Sequence, residues 1–292
     1  MKTRDEIAQA LAASGYIADG ELATAISLMQ LLRRPLLLEG EAGVGKTEVA
    51  KALASATGSR LIRLQCHEGI DLHQALYDWD YQRQLLAIRA AEARGEGSAT
   101  AEGRLFSREF LLKRPLLDAL EEEGPVVLLI DEIDRADDEF EAFLLELLSD
   151  FQVSIPELGT IKATAIPHVV LTSNGTRELS DALRRRCLYH YVDYPDVDRE
   201  ARIIMARIDG AGASLSLQIA RMVEGVRKEE FRKVPGVAET LDWAAALVGL
   251  DVRDLHDAPE TVHETLMCLL KTHEDKSRVT REASERLLGK VA

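Results

Sequence analysis

Short apolar runs alternate with amphipathic segments over the first two-thirds of the chain. The segments 21–32 and 46–57 carry apolar residues at helical spacing, and the chain around them breaks at glycine and proline. The apolar runs are rich in Val, Ile, Leu and Tyr and are typical of buried strands; they are "RRPLLLEG" (33–40), "RLIRLQC" (60–66), "PVVLLIDE" (125–132), "PHVVLTSN" (167–174) and "CLYHYVDYP" (187–195). Strands alternating with helices over residues 35–195 predict an open α/β fold with a parallel five-stranded sheet.

Two segments interrupt this alternation. Residues 77–113 contain a helical piece at 81–94 followed by the small-residue stretch "GEGSATAEG" at 95–103. Residues 150–166 predict a β-hairpin that turns at Pro156–Gly159. Beyond Pro195 the pattern is helical to the end, so we expect an α/β domain over residues 1–197 and a smaller all-helical domain over 198–292.

Charge and cysteine usage exclude several classes of protein. Fifty acidic residues against 36 basic ones give a formal charge of −14, and an acidic chain repels a polyphosphate backbone unless its cations are clustered. The densest basic cluster is 184–186, so nucleic-acid binding is disfavoured. The three cysteines are widely spaced and support neither a disulfide framework nor a zinc ribbon. The N-terminus has no apolar signal-peptide core and no run could span a membrane, so we expect a cytoplasmic protein.

The sequence "GEAGVGKT" at 40–47 fits the G-x-x-x-x-G-K-[ST] phosphate-loop pattern and lies between a predicted strand and a predicted helix. Its glycines allow backbone N–H groups to converge on a phosphate, and the helix dipole also favours negative charge there. Lys46 would reach the β- and γ-phosphates of ATP, and the Thr47 hydroxyl would bind Mg²⁺. The predicted nucleotide-binding residues of the loop are Gly40, Glu41, Ala42, Gly43, Val44, Gly45, Lys46, Thr47 and Glu48.

The acidic stretch "LLIDEIDRADDEFEAF" at 128–143 follows as the second half of the site. An apolar strand ending in Asp131 would deliver a carboxylate to the Mg²⁺ shell, and Glu132 would polarise the attacking water. The apolar positions 140, 143, 144, 147 and 148 define one buried stripe of a helix, with residues 137–139 in its first turn. Glu141 is expected on the solvated face of that helix. The role of Asp134 stays open.

Two further polar groups are candidates for the same chemistry. Asn174 ends a core strand, where its amide would hydrogen-bond the attacking water or the γ-phosphate, although an ordinary turn residue is the alternative. The arginines at 184–186 precede the last strand. An arginine supplied by a neighbouring subunit stabilises charge on a transferring phosphoryl group, whereas a solvated basic helix end is the simpler interpretation.

In this order, these motifs resemble an AAA+ ATPase. Within that class the chain resembles the MoxR family, and within that family the branch associated with carbon monoxide dehydrogenase and related molybdenum hydroxylases. The hairpin is similar to the pre-sensor-1 hairpin of one AAA+ branch, and residues 77–113 are similar to its helix-2 insert. The segments that carry the resemblance are "LIRLQCHEGIDLHQALYDWDYQRQLL", "LFSREFLLKRPLLDAL", "DRADDEFEAFLLELLSDFQVSIPELGT", "RRRCLYHYVDYP" and "PGVAETLDW".

The resemblance implies a ring-forming, typically hexameric, Mg²⁺-dependent ATPase that acts as a maturation chaperone on a metalloenzyme. It also implies a partner that carries a von Willebrand factor A domain. By position, the resemblance assigns Gly40, Gly45, Lys46 and Thr47 to Walker A, Asp131 and Glu132 to Walker B, Asn174 to sensor 1, and Arg185 or Arg186 to the arginine finger, with Arg186 preferred because it directly precedes a strand.

One departure from the family pattern concerns the helical lid. Many AAA+ proteins bring a sensor-2 arginine from the lid to the γ-phosphate, whereas "PGVAETLDW" has Glu239 and Thr240 at that place. Either Lys233 or Arg232 substitutes, or the coupling of hydrolysis to lid motion is altered. An ATP-binding switch with little turnover, a DNA-associated AAA+ loader and a small-molecule P-loop kinase are the alternatives.

Overall fold

The five apolar runs form one sheet in the computed structural model, which describes residues 3–94, 105–229 and 231–291. The strands are β1 (Leu36–Glu39), β2 (Arg60–Gln65), β5 (Val126–Asp131), β8 (His168–Ser173) and β9 (Leu188–Tyr191), in the order β2-β5-β8-β1-β9. Parallel pairing joins β2 to β5, β5 to β8 and β8 to β1. The parallel five-stranded sheet predicted from the sequence is therefore confirmed. The predicted flexible stretch at 95–103 lies outside the described residues.

Register brings the carboxyl ends of the parallel strands to one edge. Gln65 is paired with Asp131, and Glu39 is paired with Ser173. All six residues of β5 are buried, as expected for a central strand covered on both faces. Polar residues that follow these strands consequently lie close together.

Helices occupy the intervening segments, and in the described C-terminal residues they replace strands altogether. No helix within the described ranges has the length and apolar character needed to cross a membrane. The helices are α1 (Arg4–Ala13), α2 (Gly20–Leu32), α3 (Lys46–Thr57), α4 (Leu72–Ala75), α5 (Tyr81–Arg94), α6 (Pro115–Glu121), α7 (Asp138–Asp150), α8 (Asp181–Arg186), α9 (Val197–Arg207), α10 (Ala213–Arg227), α11 (Val237–Gly249), α12 (Pro259–Thr265), α13 (His273–Arg278) and α14 (Arg281–Leu288).

The two interruptions of the pattern are small antiparallel sheets. Strands β6 (Gln152–Ile155) and β7 (Gly159–Lys162) form the predicted hairpin. Strands β3 (Tyr77–Trp79) and β4 (Leu111–Lys113) pair at the base of the 77–113 insert. Trp79 lies between Tyr77 and Phe106, with ring centroids 5.9 and 5.4 Å apart, so aromatic edge-to-face packing closes this insert.

The chain divides into two compact units, each with its own hydrophobic core. Within the described residues the first unit comprises 3–7, 20–39 and 50–190, and its core surrounds β5. The second unit comprises 8–19, 40–49 and the chain from 191 onward, and its core is formed by the C-terminal helices. The phosphate-loop residues thus pack with the C-terminal helices. The boundary expected at residue 197 remains a prediction.

Candidate nucleotide site

The phosphate loop begins at Gly40, directly after β1, and runs into α3. Gly43 and Gly45 have φ values of +84° and +95°, a left-handed conformation that residues with a Cβ adopt at a cost. Lys46 is 6% exposed, and its Nζ donates hydrogen bonds of 2.8 Å to the carbonyls of Gly40 and Glu41. The ammonium is therefore held against the backbone of the loop.

Close backbone contacts explain two glycines of the loop within the second unit. A Cβ on Gly40 would lie 2.3 Å from the carbonyl oxygen of Val192, and a Cβ on Gly43 would lie 2.9 Å from the Cα of Gly236. Neither position has room for a side chain. The Gly43 carbonyl also accepts a 2.8 Å hydrogen bond from the amide of Val237, the first residue of α11.

Tyr16 approaches the loop from the N-terminal segment of the same unit. Its ring lies 3.9 Å from the position that a Cβ on Gly45 would occupy. Burial raises the pKa of Tyr16 to about 12, although nearby Arg199 opposes the shift. Arg199 also fixes this segment by donating to the carbonyl of Ile17 at 3.0 Å and to Asp19 at 2.8 Å. Tyr16 is thereby held beside Gly45 of the loop.

Asp131 ends β5 at the carboxyl edge of the sheet and is 2% exposed. The hydroxyl of Thr172 donates to its Oδ1 at 2.5 Å, and Arg63 donates to its Oδ2 through Nε at 3.0 Å and Nη2 at 2.5 Å. A buried carboxylate of this kind suits a hard divalent cation such as Mg²⁺, which prefers oxygen ligands. The oxygen donors of Asp131 fit the implied metal, although Oδ2 is paired with the Arg63 guanidinium in this structure.

Glu132 follows in a left-handed conformation, with φ 55° and ψ 49°. This conformation costs a residue with a Cβ roughly 1–2 kcal/mol. The hydroxyl of Thr172 accepts a 2.9 Å hydrogen bond from the Glu132 amide, so Thr172 fixes both carboxylate residues. The Glu132 side chain is 33% exposed and pairs with Arg135 at 3.0 Å. Of the two neighbouring carboxylates, Asp131 is buried and fixed, whereas Glu132 is accessible.

Asp134, whose role the sequence left open, fixes the turn after β8. Its Oδ2 accepts from the amide of Asn174 at 3.2 Å, the amide of Thr176 at 3.0 Å and the hydroxyl of Thr176 at 2.6 Å. Burial opposes ionisation of Asp134, but these hydrogen bonds outweigh it and lower the pKa of the carboxyl. The Asn174 backbone is therefore tied to the "DEID" segment by a side chain two residues beyond Glu132.

Glu141 was expected on the solvated face of α7, and that prediction is wrong. It is 1% exposed, forms an ion pair with Arg177 and accepts a 3.0 Å hydrogen bond from the amide of Ser180. A buried carboxylate requires such partners. They lie 36 and 39 residues further along the chain, so helical periodicity alone could not reveal them.

The three arginines of α8 have different environments. Arg184 pairs with Glu39 at 3.1 Å, and Arg186 donates to the Ser149 hydroxyl at 2.5 Å and to the Ala182 carbonyl at 3.0 Å. Arg185 is exposed, and its guanidinium has no hydrogen bond or ion pair to any described residue. Arg185 is thus the member of the cluster whose side chain is not engaged within its own unit.

At the start of α11, where the resemblance leads us to expect a lid arginine, Glu239 and Thr240 make local contacts. Glu239 accepts a 3.0 Å hydrogen bond from the Gly236 amide, and Thr240 is fully buried and donates to Glu200 at 2.7 Å. The side chains of Arg232 and Lys233 are exposed, while their amides donate to Asp275. The arginine that does lie beneath α11 is Arg227 of α10, which is committed to a buried pair with Glu200.

Sequence reasoning missed three residues of this site. Arg63 and Thr172 bind Asp131, and Thr176 binds Asp134. The signal for Thr172 was a hydroxyl within the apolar run "VVLTSN", next to the predicted Asn174. For Arg63 it was a charged residue on a strand that ends at the same edge as β5. Neither signal names the partner, because the pairing follows from strand order.

A parallel sheet in this order, with a phosphate loop after β1 and a carboxylate pair after β5, defines the AAA+ class of P-loop folds. The chain belongs to the family described as the AAA domain of the dynein-related subfamily, whose model matches residues 35–187.

Several curated proteins match the chain at low identity. Midasin of Dictyostelium discoideum is 30% identical over 184 residues, which are 60% of this chain and only 3% of midasin. The denitrification regulatory protein NirQ of Pseudomonas aeruginosa is 25% identical over 259 residues, covering 82% of this chain and 89% of NirQ. An uncharacterized protein of Staphylococcus aureus is 27% identical over 234 residues, covering 77% of this chain and 78% of that protein.

Among solved structures, a point mutant of Thermotoga maritima RuvB has the same fold. Its TM-score is 0.50 at 16% identity, over 97% of this chain and 73% of the RuvB chain. At this identity the similarity concerns the fold alone.

Proposed function

We propose that the protein is a Mg²⁺-dependent ATPase. The observation that carries this proposal is the carboxylate pair after β5, with Asp131 buried and fixed and Glu132 accessible. The strand β1, which leads into the phosphate loop, ends at the same edge of the sheet. ATP hydrolysis needs both a metal ligand and a group that orients water, and the two neighbouring residues suit these separate tasks.

The remaining residues have stated roles in this proposal. The loop residues 40–48 hold the phosphates, with Lys46 on the β- and γ-phosphates. Thr47 and Asp131 would hold Mg²⁺, which supplies charge neutralisation when bound. Glu132 accepts a proton from the attacking water, and Asn174, positioned by Asp134, orients that water.

Substitution of Glu132 by Gln tests the assignment. ATP binding should persist because the loop is untouched, whereas phosphate release should slow by on the order of a hundredfold or more, the usual effect of a positioned base. The exposed Glu139→Gln variant of α7 is the matched control and should behave as wild type. Turnover at the wild-type rate in Glu132→Gln would contradict the role of this carboxylate.

The proposal extends to an oligomeric ring, typically hexameric, in which an arginine reaches the neighbouring subunit's ATP. Arg186 was preferred from its position in the sequence, but it holds two hydrogen bonds within its own unit. Exposed Arg185 can reach another subunit without breaking any hydrogen bond of its side chain. We therefore propose Arg185 as the first candidate for the arginine finger and Arg186 as the second.

Complementation separates the two arginines. Arg185→Ala or Arg186→Ala should lower turnover roughly a thousandfold if that residue is the finger, and Lys46→Ala should abolish ATP binding. Mixing the inactive finger variant with Lys46→Ala should restore turnover, because some interfaces then combine an intact loop with an intact arginine. No restoration with either variant, or turnover per chain that does not fall on dilution, would contradict a site shared between subunits.

We further propose a MoxR-type maturation chaperone for a metalloenzyme, working with a protein that carries a von Willebrand factor A domain. The resemblance of the "DRADDEFEAFLLELLSDFQVSIPELGT" and "PGVAETLDW" segments supports this, as does the similarity to NirQ over 89% of that protein's length. A co-purification test uses Glu132→Gln with ATP. The partner should be retained with ATP and released with ADP, and equal retention in both would contradict nucleotide-controlled binding.

An ATP-binding switch with little turnover is the second candidate. It is favoured by Glu239, which caps α11 at the place where an arginine was expected. Phosphate release measured with and without the partner separates the two functions. Binding without measurable release in both conditions would favour the switch, and a DNA loader would require a salt-dependent DNA complex that the charge of −14 disfavours.

A further inference from the structure

Two glycines from distant parts of the sequence touch within the second unit. A Cβ on Gly236 would lie 2.7 Å from the Cα and 2.8 Å from the carbonyl oxygen of Gly43, closer than any real Cβ contact. The Val237 amide donates to that same carbonyl at 2.8 Å. The backbone of the phosphate loop therefore rests directly on the first turn of α11.

The identity of Gly236 is explained by this contact and not by its own conformation. Its φ of −85° and ψ of −179° are open to any residue. It is the N-cap of α11, a place where Ser, Thr, Asp or Asn would accept a hydrogen bond from the helix. A side chain at this place would collide with the loop. The first-turn amide of Val237, which has no acceptor within a helix, bonds the loop instead.

Buried charged groups hold this end of α11 in position. Arg227 donates to the carbonyl of Pro235 at 2.9 Å and forms two hydrogen bonds of 2.7 Å with Glu200. Its guanidinium also lies 4.6 Å from the ring centroid of Tyr194, whose hydroxyl reaches the carbonyl of Ala42 at 3.4 Å. The loop thus contacts the braced end of α11 at Gly43, and Tyr194 contacts the loop more weakly at Ala42.

We propose that the first turn of α11 positions the phosphate loop for nucleotide through the Gly43 carbonyl, and that the lid senses occupancy of the loop through this backbone contact in place of a sensor-2 arginine. The inference rests on the proposed nucleotide site. A shift of the Gly43 peptide on binding phosphate changes the acceptor of the Val237 amide. Such a shift reaches α11 without any side chain.

Replacing Val237 by Pro tests the contact. Proline is favoured at the first position of a helix, and extended Gly236 is compatible with a following proline, so α11 should form while the N–H donor is lost. Val237→Ala is the matched control, because it removes the side chain and keeps the donor. The readouts are the affinity for a fluorescent ADP analogue, KM and kcat for ATP, and thermal unfolding as a check on folding.

Val237→Pro should bind nucleotide about tenfold more weakly than Val237→Ala and raise KM more than it lowers kcat, since the loop is positioned before the chemical step. Gly236→Ala should weaken binding in the same direction, with Gly212→Ala, an N-cap with open space around it, as its control. In wild type, nucleotide should change the rate of amide exchange of Val237, because the shift alters the acceptor of its N–H, and an unchanged rate would contradict sensing through this contact. Equal affinities of Val237→Pro and Val237→Ala, with wild type binding normally, would overturn this inference alone. Absence of binding by wild type would overturn the proposed function with it.

Discussion

The Asp134 side chain is buried and accepts three hydrogen bonds from the turn after β8. Only 3% of it is exposed, and the bonds come from the amides of Asn174 and Thr176 and the hydroxyl of Thr176. These donors stabilise the ionised carboxylate. Protonation of Asp134 therefore weakens the attachment of Asn174.

Stability of the fold should accordingly depend on Asp134 at acidic pH. Because its pKa is lowered in the folded state, the folded protein binds fewer protons than the unfolded chain. The resulting stabilisation is present above the ordinary aspartate pKa near 4 and is lost as pH falls through the lower folded value. Asp134→Asn should flatten the loss of unfolding free energy between pH 5 and pH 3, measured by urea denaturation.

Thr176→Val is the graded control for this prediction. It removes the hydroxyl donor but leaves both amides, so its acid dependence should fall between those of wild type and Asp134→Asn. An unchanged pH dependence in Asp134→Asn would contradict the assigned cause of the shift.

At the scale of single residues, the sequence pattern nominated candidate groups and did not reveal the residues that contact them. Asp131 and Glu132 were predictable because an apolar strand ends in carboxylates after a phosphate loop. The burial of Glu141 was not, because its helix position is polar by periodicity and its partners come from the distant Arg177–Ser180 turn. The left-handed backbone of Glu132 was equally hidden, since glutamate carries no preference for it.

Among the helices, α9, α10 and α11 are joined by one buried ion pair. Glu200 of α9 is 1% exposed, and the side chain of Arg227 of α10 is 8% exposed. Thr240 of α11 donates to Glu200 at 2.7 Å. The Glu200 carboxylate therefore has partners on two other helices. Its loss would leave the buried Arg227 guanidinium without its ion-pair partner.

Glu200→Ala should destabilise the protein by ~3–5 kcal/mol, the usual result of leaving one member of a buried pair unpaired. The matched control is Glu224→Ala, which breaks the exposed pair with Lys228 on the same helix as Arg227 and should cost at most ~0.5 kcal/mol. Chemical denaturation of both variants measures the difference. Similar losses in the two would contradict the buried network.

Core strands were predictable from the sequence, whereas the ends of the outer strand β9 and the short C-terminal helices were less so. All five core strands were located from their apolar runs. The run of β5 is buried throughout, whereas β2 keeps exposed Arg60, Arg63 and Gln65 between its apolar residues. Strand β9 ends at Tyr191, before the end of its predicted run. The run was too long because the valine and tyrosine beyond Tyr191 resemble a continuation of the strand. Helices α12 and α13 have seven and six residues. The sequence predicted helix over this whole region and did not predict where one short helix ends and the next begins.

At the level of the whole molecule, nucleotide binding should appear as a gain in stability. A ligand that binds only the folded state at about 100 times its Kd adds ~2.7 kcal/mol. For a chain of this size that corresponds to a rise of about 5–10 °C in Tm. Thermal unfolding with MgADP measures it, and Lys46→Ala should show no rise because it removes the ammonium that we propose binds the phosphates.

The compact units of the structure include segments that the sequence pattern does not group together. The C-terminal helical pattern suggested a second domain beginning near 198, but residues 8–19 and 40–49 pack with it as well. Contacts such as that of Gly43 with Gly236 place these segments in the second unit. The phosphate-loop motif alone is already enough to explain a glycine at position 43. Nothing in the sequence pattern therefore signals its second contact.

The left-handed backbone at Glu132 should make selection for stability and selection for ATP hydrolysis favour different residues at this position. In a library of all substitutions at this position, a screen for heat resistance should rank glycine and asparagine above the native glutamate, because both tolerate the left-handed conformation better. A screen for phosphate release should rank them near the bottom. On the proposed ATPase function, the native glutamate marks a place where the fold carries a local energetic penalty for its chemistry.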